Sequence, residues 1–133
     1  IILITHDLGV VAETADDVVV MYAGRAMEVA PRRPLFYEPH HPYSEGLLRS
    51  LPSRSAPGSR LTPIPGAPPS LIDPLTGCPF RPRCPHAFEA CTEDPPMREV
   101  DDDPKHRSAC WLTDAPGRRA GIRVPVPATQ EAP

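Results

Sequence analysis

Residues 2–30 read ILITHDLGVVAETADDVVVMYAGRAMEVA, and this stretch decides the fold. Residues 1–5 (IILIT) form a short β-branched run, which predicts a buried strand. Residues 7–15 (DLGVVAETA) set Leu8, Val11, Ala12 and Ala15 at helical spacing, so one face can pack on a sheet. Asp7 stands where an N-cap belongs. Residues 17–22 (DVVVMY) predict a second buried strand, and residues 25–29 (RAMEV) alternate like a third. Gly24 between them suits a tight hairpin turn. Strand, helix, strand and hairpin in that order fit the end of an α/β domain whose sheet lies mostly upstream.

The rest of the chain has a different composition. All 21 prolines fall after residue 30, in a sequence of 133 residues. Thirty residues cannot build a core alone, because chains below about 40 residues need staples or partners. The chain opens on Ile1, inside an apolar run. It is therefore expected to be the C-terminal piece of a longer protein. The net charge is −3, with 14 basic against 17 acidic residues. This balance gives no reason to expect a nucleic-acid partner, which requires a basic excess or stripe. No apolar run approaches the ~20 residues of a membrane span, and no basic-then-apolar leader is visible.

Residues 34–37 predict one helical turn. Residues 43–51 predict a longer helix, with Pro42 at its start, Leu47, Leu48 and Leu51 on one face, and Pro52 at its end. Residues 53–69 have the composition of a linker. The acidic run at residues 99–103 (EVDDD) predicts a solvated loop, and the Pro/Ala/Arg-rich residues 113–133 predict a disordered tail.

His6 directly follows the first predicted strand. Open α/β sheets bind ligands beyond the carboxyl ends of their strands, where a histidine can reach a phosphate or hold a water. Residues 2–30 closely resemble the end of the ATP-binding domain of ABC transporters. In that family the Thr-His-Asp stretch is the switch region. The resemblance gives His6 the catalytic role of contacting the γ-phosphate of ATP and holding the attacking water. Asp7 is then a structural neighbour.

The run FYEPHHPYSEGLLRSLP, residues 36–52, narrows the resemblance. It is similar to the segment that marks the oligopeptide/dipeptide subgroup, with Ser44 where the usual motif has Thr. His41 is read there as a packed structural histidine. A phosphate-binding loop needs Gly-x-x-x-x-Gly-Lys-[Ser/Thr], and the chain's one lysine, Lys105, lies in Pro-Lys-His. The signature motif and acidic catalytic residue would also lie upstream. This piece alone is expected not to hydrolyse ATP.

Four cysteines, Cys78, Cys84, Cys91 and Cys110, are separated by 5, 6 and 18 residues. Disulfides require an oxidising compartment. Structural zinc sites space paired ligands by about 2–4 residues, and iron–sulfur clusters take four thiolates at varied spacings. Spacing alone does not decide between zinc, a cluster and metal-free thiols. The run GCPFRPRCPHAFEACTEDPP at residues 77–96, with HRSAC at 106–110, resembles the C-terminal region of oligopeptide/dipeptide transporter ATPases. Several members hold a [4Fe–4S] cluster there on four cysteines, which favours a cluster over zinc. Phe80, Ala87, Phe88 and Trp111 would pack around it. Arg81, Arg83 and Arg107 would offset its charge, with His86 and His106 outside the ligand set.

The expected fold is thus the α/β C-terminal end of an ABC-type ATPase domain (residues 1–30), then a loop-rich, cysteine-stapled appendage (residues 31–112) and a tail (residues 113–133). The resemblance implies a subunit that binds ATP and Mg²⁺ and powers import of peptides or nickel. It implies a second ATP-binding subunit, two membrane permease subunits and an extracytoplasmic substrate-binding protein as partners, at the cytoplasmic face of the plasma membrane. The alternative is a free-standing metal or iron–sulfur module without ATPase activity.

Overall fold

The computed structural model describes residues 1–51, 62–72 and 75–114. The expected tail from residue 115, residues 53–61 of the expected linker and the proline at 52 lie outside them. Helix α1 is Leu8–Thr14, and Asp7 is its N-cap, its carboxylate accepting from the main-chain N–H of Gly9 and Val10. Strands β1 (Asp17–Tyr22) and β2 (Arg25–Pro31) pair antiparallel. Ala23 and Gly24 join them with φ of 49° and 77°, both left-handed, as a two-residue hairpin turn compatible with strand twist demands. Helix α2 is Arg32–Tyr37 and α3 is Pro42–Arg49. Strands β3 (Arg98–Val100) and β4 (Asp103–Ser108) complete a four-stranded antiparallel sheet in the order β1-β2-β4-β3.

Two expectations are corrected. Residues 1–5 are not a strand: Ile1, Ile2 and Ile4 are fully exposed, and no described residue pairs with them. A β-branched run becomes a strand only where a neighbour takes up its backbone donors and acceptors. The acidic run at 99–103 is solvated, with Glu99, Asp101 and Asp102 exposed, but it is a hairpin and not a loop throughout. It supplies the end of β3, a turn at Asp101 and Asp102 (φ 50° and 60°), and the first residue of β4. Aspartate tolerates the left-handed conformation that a tight antiparallel turn demands.

The sheet has one packed face. Val18, Val20 and Tyr22 of β1 point inward, while Val19 remains 54% exposed. Val18, Val20, Ala30 and Leu35 form one apolar cluster, with Val11 and Ala15 covering it from the α1 side. A second cluster joins Tyr22 and Met27 to Cys78, Phe80 and Cys91. Tyr43 of α3 touches both, with its ring 4.6 Å from that of Tyr22 and 5.3 Å from that of Phe80. The second cluster therefore fastens the cysteine-bearing loops to the sheet. Among the described residues no helix is long and apolar enough to cross a membrane.

Candidate functional site

Strand β2 carries a carboxylate into the interior. Glu28 is 0% exposed. The main-chain N–H of His40 donates to its Oε1 at 2.6 Å, and that of His41 to its Oε2 at 2.9 Å. Nε2 of His106, from β4, lies 2.7 Å from Oε1. Burial pushes the Glu28 carboxyl up, but His106, Ser44 and the N–H groups of His41 and His40 together hold it below its ordinary value. A buried charge persists only with such partners. One side chain thus ties β2, β4 and the lead-in to α3.

His41 starts α3 as its N-cap, with Nδ1 accepting from the Tyr43 N–H at 3.0 Å. Burial pushes its pKa down to about 4, against the pull of the Glu28 charge and the Ala109 carbonyl. The imidazole is therefore neutral at physiological pH. Its Nε2 is buried, and with Nδ1 taken by the Tyr43 N–H the hydrogen bond to the Ala109 carbonyl falls to this nitrogen.

All four cysteines are free thiols, and all four line one small apolar cavity together with His41, Phe80, Arg81, His86, Trp111 and neighbouring residues. The loops hold them there by short main-chain links. The Cys78 N–H donates to the Cys91 carbonyl at 3.1 Å. Gly77 makes this approach feasible: its φ is +71°, and a Cβ there would sit 2.5 Å from the Thr92 carbonyl oxygen. From the sheet, Arg25 reaches the Asp94 carboxylate at 2.6 Å and the Leu75 carbonyl at 3.1 Å.

Burial raises the Cys78 thiol, pushes Cys84 up to about 11, and pushes Cys110 up to about 12. Neighbouring cysteines add to each rise, and the Arg25 charge partly opposes it at Cys78. Thiols in this state are protonated and poor nucleophiles. They ionise when a cation takes the place of the proton. Among the described residues no group of three or more His, Cys, Asp or Glu is arranged to hold a single metal ion.

The structure separates the residues singled out in the sequence. The four cysteines share one cavity, whereas His6 stands exposed in the turn before α1, away from that lining. Phe80 and Trp111 line the cavity and Phe88 packs beside it. Arg83 serves another purpose, donating to the Pro65 and Ile64 carbonyls and to the Tyr22 hydroxyl. Arg107 is exposed, and Arg25 supplies a charge near Cys78 that the sequence reading missed. His106 is buried on Glu28. Glu28 itself was missed, although a glutamate set between Met27 and Val29 in a strand is the signal for it.

Residues 27–91 match the family model "Oligopeptide/dipeptide transporter, C-terminal region". The chain is 50% identical over 114 residues to the dipeptide transport ATP-binding protein DppD of Bacillus subtilis, covering 86% of this chain and 34% of that protein. It is 52% identical over 111 residues to the oligopeptide transport ATP-binding protein OppD of Escherichia coli, covering 84% and 32%. With OppD of Mycobacterium tuberculosis it shares 51% over 116 residues, 86% of this chain and 19% of the relative. The chain spans about a third or less of the length of these curated relatives.

Proposed function

The chain belongs to the oligopeptide/dipeptide family of ABC-transporter ATP-binding proteins, and from that premise we propose that it supplies the C-terminal part of a subunit powering peptide import. The observation that carries this reading is identity of about half over some six-sevenths of the chain to proteins named for dipeptide and oligopeptide transport. The complete subunit would bind ATP and Mg²⁺, pair with a second ATP-binding subunit and dock on two permease subunits at the cytoplasmic membrane face. An extracytoplasmic binding protein would deliver the peptide.

His6 is the catalytic residue of this reading. Phosphoryl transfer to water is catalysed mainly by positioning and electrostatics. A histidine before a helix N-terminus, in a loop fixed by the Asp7 cap and by the Asp7 N–H donating to Thr5 Oγ1 at 3.0 Å, suits that task. Its imidazole would hold the γ-phosphate and the attacking water by hydrogen bonds. In the complete subunit reconstituted with its permeases in vesicles, His6→Ala should retain ATP binding and lose most transport-coupled hydrolysis. Hydrolysis at the wild-type rate would refute the assignment.

Cys78, Cys84, Cys91 and Cys110 are proposed as ligands of a [4Fe–4S] cluster, with zinc second. Their convergence on one apolar cavity supports this reading, since four thiolates are the donor set such a cluster takes. A bound cluster would supply a covalent crosslink among loops too proline-rich to be held by burial alone. Anaerobic purification followed by iron and sulfide analysis tests it. Absence of both elements overturns the cluster, and one zinc per chain supports the second choice.

A further inference from the structure

The four thiols share a cavity that nothing large can enter as it stands. Its volume is about 10 Å³, barely room for one water, and Cys78, Cys91 and Cys110 are buried. One stretch of its wall differs from the rest. After the short helical turn Glu89–Thr92, which holds Cys91, the chain runs to β3 through Glu93-Asp94-Pro95-Pro96-Met97. Pro95 lines the cavity, whereas Glu93, Asp94 and Pro96 are exposed. Neither proline has an N–H to give, so the segment cannot be zipped into a helix or a sheet there. Side chains fasten it instead. Arg25, at the β1–β2 hairpin, holds the Asp94 carboxylate at 2.6 Å, and the Trp111 indole N–H donates to the Glu93 carbonyl at 3.1 Å. The far end returns to the same ring, with the Arg98 guanidinium 5.8 Å from the Trp111 ring centroid. Trp111 is itself part of the cavity wall and directly follows Cys110.

We propose that residues 93–97 are a strap over the four-thiol cavity, latched by Asp94 on Arg25 and by Glu93 on Trp111, and that reagents reach Cys91 and Cys110 when this strap lifts while the sheet stays folded. The latches are weak by construction. The Arg25 and Asp94 side chains are 40% and 61% exposed, so water and salt screen their attraction. The opposite wall is held by the buried cluster of Tyr22, Met27 and Phe80. Local opening follows the links with least buried support. Cys91 lies just before one latch and Cys110 just before the other, so lifting the strap loosens both. Cys84 sits on another loop and serves as the internal reference. The strap acts on the thiols themselves and stands whether or not they hold a cluster.

The test is alkylation of the reduced, chelator-treated full chain by iodoacetamide, followed cysteine by cysteine by mass spectrometry. Wild type is compared with Asp94→Ala, Trp111→Phe and the double variant. Asp94 is exposed and phenylalanine keeps an aromatic wall, so neither change empties the core. Each single variant should speed Cys91 and Cys110 about two- to fivefold relative to Cys84, the range of one exposed ion pair or hydrogen bond. The double variant should show the product of the two, because the strap lifts only when both latches are free. Added salt should speed the wild type and leave Asp94→Ala unmoved. Low urea should leave the wild-type rate flat, since a local opening exposes little new surface. Three results overturn the proposal: unchanged rates in the double variant, Cys84 speeding as much as Cys91 and Cys110, or a wild-type rate that climbs with urea along the slope of global unfolding. Should a variant fold poorly, the urea and salt dependence of the wild type decides alone.

Discussion

Replacing Glu28 by Ala should be among the most damaging single changes in this fold. The side chain is fully buried and accepts from two main-chain N–H groups and from His106. Truncation removes the acceptor from all three at once. Each buried donor left without a partner costs about 1–3 kcal/mol, so losing the shared acceptor should cost about 3 kcal/mol or more, a large share of the ~5–15 kcal/mol that stabilises a typical domain. Glu28→Gln retains one oxygen and turns an N–H₂ toward existing donors, so it should lose about half as much. Urea denaturation followed by circular dichroism measures both, and an unchanged m-value certifies that the unfolded state is the same. A Glu28→Ala variant within about 1 kcal/mol of wild type would refute the view that this carboxylate holds β2, β4 and α3 together.

Three further outcomes follow from the same interior. Stability should fall as pH drops from about 6.5 to about 4, because unfolded His41 takes a proton below 6.5 while the buried ring resists until about 4. At pH 5 that amounts to about 2 kcal/mol, read from urea midpoints at pH 7 and pH 5. Glu28 adds to the loss only below about 4.5, since its folded pKa is lowered and its contribution vanishes as pH falls through that value; a flat profile between pH 7 and 5 contradicts the His41 assignment. Gly77→Ala should cost more than about 2 kcal/mol, because its Cβ would meet the Thr92 and Cys91 carbonyl oxygens at 2.5 and 2.7 Å in a left-handed backbone; calorimetry showing an unchanged melting temperature would contradict the close approach. Cys84 and Cys110 in metal-free folded protein should resist iodoacetamide at pH 7.5, given thiols near 11 and 12, and react promptly in urea. Equal rates in both states would show that burial does not protect them.

The hairpin and the helices were legible because their signals are local. Asp7 caps α1, Ala23-Gly24 makes the turn, and Val18, Val20 and Tyr22 alternate; each needs only its own few residues to be read. The strand expected at residues 1–5 failed for the opposite reason. Its apolar run carries the composition of a strand, but a strand is a relation to a neighbour, and none is present among the described residues. Strands β3 and β4 escaped for a third reason. The sequence DPKHRS holds no apolar alternation, yet its burial alternates, with His106 and Ser108 turned inward. Periodicity read on hydrophobicity cannot find a strand whose inward face is polar.

That polar face explains why the site was only half visible. Cysteines announce themselves by rarity, and four of them in one segment are conspicuous at any spacing. Glu28 and His106 do not, because 77 residues separate them in sequence and each is unremarkable alone. What joins them is the antiparallel pairing of Glu28 with Ser108 and of Val29 with Arg107. This register draws the segment bearing Cys110 alongside β2, just as Arg25 and Met27 draw in the segment bearing Cys78 and Cys91. Strand β2 is therefore the common support of all the loops that carry the thiols. The carboxylate on that strand fixes the His41 main chain, and His41 lines the thiol cavity. A change at Glu28 must for that reason reach the cysteine site through α3 and β4 together, although Glu28 is absent from the cavity lining.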